Sequence, residues 1–230
     1  MKIVIAAAMK EELLPFRELY QTELVIQRGK TVVEKVIGSA KHTLILVETG
    51  IGKVNAAASA SLVCEIFHPD IIINTGSAGG FSEEITIGDV VYGTELIYSD
   101  VDATGFDYAY GQVPKMPKSY LLDQKWSKLI GQLKQPETYK LHKGQIVTAD
   151  SFMSEKSVVK TIKKRFKHAL ASDMESTAIA QVSQFYQIPV LNIRGVSDIA
   201  GKEAAVSFDA HLNQAAIHAF EQIQKVINLL

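Results

Sequence analysis

The chain is poor in most features that announce a specialised role. Its 230 residues include one cysteine, Cys64, so no intrachain disulfide and no thiolate metal cluster can form. The six histidines never reach the i, i+4 spacing of a helical zinc site, and neither a metal nor another cofactor is expected. A net charge of −1 supplies no field to hold nucleic acid or an anionic membrane, so neither is expected as a partner. Lys160, Lys163, Lys164 and Lys167 do cluster, but at helical spacing they read as a solvated face. No apolar run approaches the length of a membrane span. The run Ile3–Ala8 after Lys2 imitates a small signal peptide, yet it is short and closes into Lys10-Glu11-Glu12. It reads as a first buried strand, and a cytoplasmic location is expected. Repeats, low-complexity tracts and Pro/Ser-rich linkers are absent from the sequence.

What is present is ordinary globular material: 47% apolar and 21% charged residues, enough for one sizeable core. Lys2–Ala8 predicts a buried strand and Glu11–Tyr20 a helix with Pro15 in its first turn, where proline is tolerated. Leu24–Gln27, Thr31–Gly38 and Thr43–Glu48 alternate as a short antiparallel run, turning at Arg28-Gly29-Lys30. Val54–Phe67 is an alanine-rich helix carrying Cys64 in its core face. Asp70–Asn74 and Asp89–Tyr98 read as further strands, separated by Thr75-Gly76-Ser77-Ala78-Gly79-Gly80. Residues 99–118 form a long aromatic loop, which fits a lid, a subunit contact or both. A helix over Leu121–Leu133, a strand over Gly144–Ala149 and a long amphipathic helix over Ser207–Leu230 complete the pattern. Strands and helices alternate throughout, predicting one α/β domain over residues 1–230, with a mixed central sheet flanked by helices.

The glycine run invites comparison with phosphate-binding loops. Neither G-x-G-x-x-G opening a helix nor G-x-x-x-x-G-K-[ST] is present there, and Gly50-Ile51-Gly52-Lys53 fails the same test. These glycines read instead as places where backbone approaches a flat or neutral ligand.

Ser172–Gly201 carries the anomaly of the chain. Glu175 precedes Ile179, Val182 and Tyr186 on one helical stripe, and Arg194 and Asp198 fall at the end of an apolar strand. Burying a charge without partners costs several kcal/mol or more, so three ionisable groups at the ends of buried elements suggest a site. Simpler readings exist for each: Ser172-Asp173-Met174-Glu175 fits a capping box, Asp198 fits a turn, and Arg194 fits a pair with Glu175. Phe152, after the strand ending at Ala149, either stacks on a planar ligand or packs in the core.

Five blocks occur in order: Ala8-Met9-Lys10-Glu11-Glu12, Thr49-Gly50-Ile51-Gly52-Lys53-Val54-Asn55, Ile72–Gly80, Met174–Ala180 and Arg194-Gly195-Val196-Ser197-Asp198. With Tyr108-Ala109-Tyr110-Gly111-Gln112 in the long loop, they resemble the bacterial 5′-methylthioadenosine/S-adenosylhomocysteine nucleosidases, of the nucleoside phosphorylase-type superfamily. The departures are small: Lys10 for an acid, Thr49 for Ser, Ser172-Asp173 for Val-Glu, Gly195 for Ala, and Tyr98-Ser99 for Tyr-His.

The resemblance implies hydrolysis of the bond between adenine and a 5′-modified ribose, without a cofactor. It implies Asp198 as general acid at adenine N7, oriented by Ser197, and Glu12 as general base for water. Glu175 is implied on the ribose hydroxyls, with Arg194 fixing the water and the carboxylates. Phe152 would stack on adenine, Ser77, Ala78 and Gly79 would line sugar and base, and Met9 and Met174 would lie near the ribose. Ile51, Ala103, Phe106, Pro114 and Phe208 would form the apolar 5′ pocket, with Tyr108 and Met153 completing the binding set. A homodimer is implied, the partner's loop near 103–114 closing the site. Two rivals stand beside this: a phosphorylase using phosphate in place of water, and a non-catalytic purine-nucleoside-binding module. With four arginines in the chain and only Arg194 in a motif, hydrolysis is favoured over phosphorolysis.

Overall fold

The computed structural model describes residues 1–39, 41–202 and 204–230. In chain order the elements are β1 (Lys2–Ala7), α1 (Lys10–Leu19), β2 (Thr22–Arg28), β3 (Thr31–Val36), β4 (Thr43–Glu48), α2 (Lys53–Phe67), β5 (Ile71–Gly80) and β6 (Val90–Tyr98). There follow β7 (Tyr120–Leu121), α3 (Gln124–Gly131), β8 (Leu141–Thr148), α4 (Lys156–Arg165), β9 (Ala169–Asp173), α5 (Ser176–Phe185), β10 (Val190–Ile199) and α6 (Ala204–Leu229).

All strands belong to one mixed sheet. Strand β5 is its hub: it runs parallel to β1 and β10 and antiparallel to β9. Because β10 also pairs with β6, β6 with β8, and β8 with β9, these five strands close into a ring. From β5 the sheet continues outward through β1, β4, β3 and β2. On one face, β1, β4, β5 and β10 press Ile3, Ile5, Leu46, Ile73 and Ile193 against α1 and α6. On the other, Val4, Ala6, Val47 and Ile72 meet α2 and α5. Strands buried on both faces read as continuous apolar runs, which is why β1 and β4 are legible from composition. Among the described residues no helix is long and apolar enough to cross a membrane.

Several expectations need correction. Thr75–Gly80 is the second half of β5, not a loop: its small residues pair with β10 as far as Gly80↔Ile199. The expected helix start at Leu121 is instead β7 and a turn, because the Asp123 carboxylate accepts the Lys125 N–H and opens α3 at Gln124. Pro15 lies inside α1, past its first turn. Ser172 caps nothing, since it sits in β9; the Asp173 carboxylate accepts the Ser176 N–H at the start of α5.

Gly195 marks the tightest contact between layers. A Cβ there would lie 2.1 Å from the Ala215 carbonyl oxygen of α6, which packs its alanine face directly on β10. Backbone cannot swing aside as a side chain can, so Gly195→Ala should displace α6. A loss of about 1–3 kcal/mol is expected, the usual cost of overpacking. Thermal denaturation checks this, with a melting temperature lowered by about 2–4 °C for each kcal/mol.

Candidate active site

The site arises from how β5 divides its pairing. Along one edge Ile71–Asn74 pair with β1, and only at Gly79 does β9 take over. Between them the backbone of Thr75–Ala78 faces a gap beyond the carboxyl end of β1, the kind of crevice in which open α/β sheets place their ligands. Glu12, near the start of α1, folds back into this gap. Its Oε1 accepts the Ser77 N–H and the Ser77 hydroxyl, both at 2.8 Å, and its Oε2 accepts the Ala8 and Met9 N–H groups at 2.9 and 3.1 Å. Gly76, at φ +133°, makes this approach possible: a Cβ would stand 2.6 Å from Glu12 Oε1 and 2.8 Å from Arg194 Nη1.

Arg194, 1% exposed, lies beneath the floor of the gap. Its Nη2 sits 3.1 Å from Asp173 Oδ2 and 3.5 Å from Glu175 Oε2, and donates at 2.9 Å to both Asn74 Oδ1 and Ser176 Oγ. Its Nη1 donates to the Ser77 carbonyl. Asp173 is further held by the hydroxyls of Thr148, at 2.7 Å, and Ser176. Glu175 stands at the N-terminus of α5 and accepts the Gly52 N–H at 3.0 Å, which ties it to the turn before α2. Burial pushes the Glu175 carboxyl up to about 7 despite the Arg194 charge, and Asp173 and Glu12 add to the rise by repulsion.

Asp198 enters from the opposite wall. The β5–β10 register slips between Val196 and Asp198, and this bulge turns the Asp198 side chain into the cavity. Its Oδ1 accepts the Ser197 hydroxyl at 2.9 Å, and burial raises its carboxyl above the usual range. Among the described residues no cation offsets that burial.

These groups open on a cavity of about 360 Å³. Glu12, Glu175, Asp198 and Ser197 line it together with Met9, Met174, Ser77, Ala78 and Gly79. Its apolar walls are Ile51, Met153, Phe152 and Phe208, the two phenyl rings meeting edge to face at 5.8 Å. Arg194 is behind the lining. Ala103, Phe106, Tyr108 and Pro114 are not part of this cavity within the chain itself. A larger hollow of about 1130 Å³ between β7 and the start of β10 has Asp70, Asp123, Lys125 and the Met1 amino terminus as its charged groups among the described residues. Sequence reasoning did not find Asn74, Gly76, Asp173 and Ser176 as site residues, nor Ser151, Ser172, Ala205 and Asp209 in the lining. Asn74, Gly76 and Ser176 lay inside the blocks that carry the resemblance, and Ser172-Asp173 stood out as a departure from the family pattern.

A closed five-strand ring with a carboxylate-lined crevice at its hub defines the class, and residues 2–228 match the family model described as the Phosphorylase superfamily. The 5′-methylthioadenosine/S-adenosylhomocysteine nucleosidase of Bacillus cytotoxicus is 44% identical, covering all of both chains. The enzyme of that name from Colwellia psychrerythraea, solved with adenine, superimposes at TM-score 0.95 with 31% identity over 100% of this chain and 96% of its own. The Streptococcus pneumoniae enzyme, bound to the transition-state inhibitor MT-ImmA, gives TM-score 0.93 and 38% identity over 100% and 99%. The chain therefore belongs to the 5′-methylthioadenosine/S-adenosylhomocysteine nucleosidase family, within the phosphorylase superfamily.

The raised Glu175 carboxyl has a consequence for stability. Its value goes from 4.5 to about 7 on folding, so the native state holds the proton more tightly than the unfolded chain between those pH values. Its contribution is full below the lower value and is lost as pH rises through the upper one. The melting temperature of the wild type should accordingly fall between pH 5 and pH 8, and Glu175→Gln should flatten that fall, as read by calorimetry at both pH values.

Proposed function

We propose that this chain hydrolyses the N-glycosidic bond of 5′-methylthioadenosine and S-adenosylhomocysteine, and also of 5′-deoxyadenosine, releasing adenine and the 5-modified ribose. The family membership supports the reaction class. The observation that carries the residue roles is the convergence of Glu12, Glu175 and Asp198 on one cavity whose lining contains no lysine or arginine among the described residues.

The roles follow from the surroundings of each carboxyl group. Asp198, desolvated and far from a compensating cation, keeps its proton and gives it to purine N7, making the base a neutral leaving group. As the C1′–N9 bond breaks, positive charge develops on the sugar. Glu175 faces that charge and the ribose hydroxyls, and fixed carboxylates in a dry cavity stabilise it strongly. Glu12 takes a proton from the attacking water while the oxygen bonds to C1′; rotation of the Ser77 hydroxyl frees the lone pair this requires. One water is consumed, one proton passes to Glu12 and one leaves Asp198, and solvent exchange restores both groups. Arg194 holds Glu175 and the Ser77 backbone in place from below. Phe152 covers the base, Met9 and Met174 shape the sugar, and Ile51 and Phe208 shape the 5′ end.

Phosphorolysis is disfavoured by the same electrostatics, since a phosphate dianion would enter beside Glu12 and Glu175 with the Arg194 guanidinium already engaged. In phosphate-free buffer, adenine should be released from 5′-methylthioadenosine, and added phosphate should neither speed release nor yield ribose 1-phosphate. Asp198→Asn and Glu12→Gln should each lower kcat by about 10²–10⁴-fold, with adenosine analogues still binding by calorimetry. Unchanged turnover in either variant would remove that residue from its role, and a silent wild type would leave a binding module.

The reading includes a homodimer. Ile51 at the cavity mouth is 50% exposed, and nearby Val54 and the loop residue Phe106 are 78% and 81% exposed, more than isolated apolar side chains of this size gain from solvent. A partner's loop, with its Ala103, Phe106, Tyr108 and Pro114, would cover the 5′ end. Phe106→Ala should then raise KM by roughly tenfold with kcat kept, the mark of lost uniform binding. Light scattering should give about twice the 25.2 kDa chain mass for the wild type. A monomeric, fully active wild type would rule this arrangement out.

A further inference from the structure

The cavity holds polar side chains that the proposed mechanism does not use, Ser172 among them. Ser172, on β9, is 5% exposed and lines the cavity, and among the described residues its hydroxyl hydrogen-bonds to no protein group. It stands beside the reactive oxygen of the general acid. A Cβ built on Gly79 would lie 3.0 Å from Asp198 Oδ2 and 3.3 Å from Ser172 Oγ, so the two oxygens flank a single point over the Gly79 backbone. Asp198 Oδ1 accepts the Ser197 hydroxyl and keeps a second lone pair, while Oδ2 is the oxygen on the side of Ser172.

The purine edge that carries N7 shows two patterns. A 6-aminopurine presents the N7 acceptor beside an amino donor; a 6-oxopurine presents N7 beside a second acceptor. A protonated carboxyl offers one donor and one acceptor, so Asp198 alone matches the 6-amino pattern. Against a 6-oxopurine its acceptor face would meet the carbonyl oxygen, and a second donor is required. A serine hydroxyl rotates to donate or to accept, and Ser172 offers one across Gly79 from Asp198 Oδ2, with no competing protein partner among the described residues.

We propose that Ser172 widens the base specificity of this site to 6-oxopurines, so that the chain also hydrolyses 5′-alkylthio-inosine nucleosides, releasing hypoxanthine by the same proton transfers. This rests on the nucleosidase reading above. Water again adds to C1′ as the C1′–N9 bond breaks, and no further reactant is needed.

The test measures kcat/KM for 5′-methylthioadenosine and 5′-methylthioinosine in phosphate-free buffer, with release of adenine and hypoxanthine followed by chromatography. The wild type should accept both, the 6-oxo substrate within about 100-fold of the 6-amino one. Ser172→Ala should lower the 6-oxo to 6-amino ratio by about tenfold or more, the cost of leaving a buried acceptor unpaired. Ser172→Thr, which keeps the hydroxyl, should preserve the ratio. Adenine release without detectable hypoxanthine from the wild type would overturn the proposal, as would a ratio unmoved in the alanine variant. A wild type that releases neither base would instead fail the nucleosidase reading itself, and this inference with it.

Discussion

One guanidinium shared among too many carboxylates is the constraint on which this structure depends. Asp173 and Glu175 touch Arg194, Glu12 lies just across Gly76 from it, and Asp198 faces the same cavity from the far wall. One positive charge cannot neutralise four buried acids. Burial accordingly raises the carboxyls of Glu175 and Asp198. Protons must therefore stay on some of them, and the pocket retains an unmet demand for positive charge. A sugar that becomes cationic in the transition state meets that demand, whereas an incoming phosphate aggravates it. The feature that weakens the fold as pH rises is also the one suited to breaking a glycosidic bond.

Backbone geometry is what allows these groups to come so close. Three local irregularities cooperate: β5 leaves β1 before it meets β9, Gly76 removes the Cβ that would separate Glu12 from Arg194, and the bulge near Ser197 re-aims Asp198. Each sits at the C-terminal half of β5 or on the strand paired to it. The glycine-rich half of β5 is thus a thin wall, permitting approach from both sides rather than wrapping a phosphate. Gly79 extends the same logic to the base end, where a side chain would fill the space between Asp198 and Ser172.

Much of this architecture was legible in the sequence, because β1, β4, α2 and α6 carry unbroken apolar runs or helical periodicity that few alternatives satisfy. The second half of β5 was not. Thr75–Gly80 has no apolar alternation, and it is a strand only because β10, more than a hundred residues later, supplies its partner. Ser172-Asp173 ends a five-residue strand, yet it reads as a helix cap when tertiary pairing is unknown. Glu12, Glu175, Arg194 and Asp198 stood out because charge at the end of an apolar element is rare. Asn74 and Ser176, which complete the hydrogen bonding of Arg194, are neutral and leave no such mark. The 103–114 loop, read as a lid or a subunit contact, does not line the cavity of its own chain.

In the mechanism proposed above, the position of Arg194 also accounts for how chemically similar carboxyl groups would divide the work. Asp173 has the guanidinium at 3.1 Å and hydroxyl donors besides, which suits a group that orients the arginine. Glu12 is surrounded by four donors from backbone and Ser77, which suits a carboxylate that must accept a proton late in the reaction. Glu175 has the arginine at 3.5 Å but shares it, leaving its charge only partly offset until a cationic sugar arrives. Among the described residues Asp198 has a single serine hydroxyl and no cation, and desolvation raises its carboxyl, which suits an acid. Distance from one side chain thereby sorts anchor, base, stabiliser and acid. Moving the arginine, rather than exchanging any carboxylate, is the change that would reassign them all.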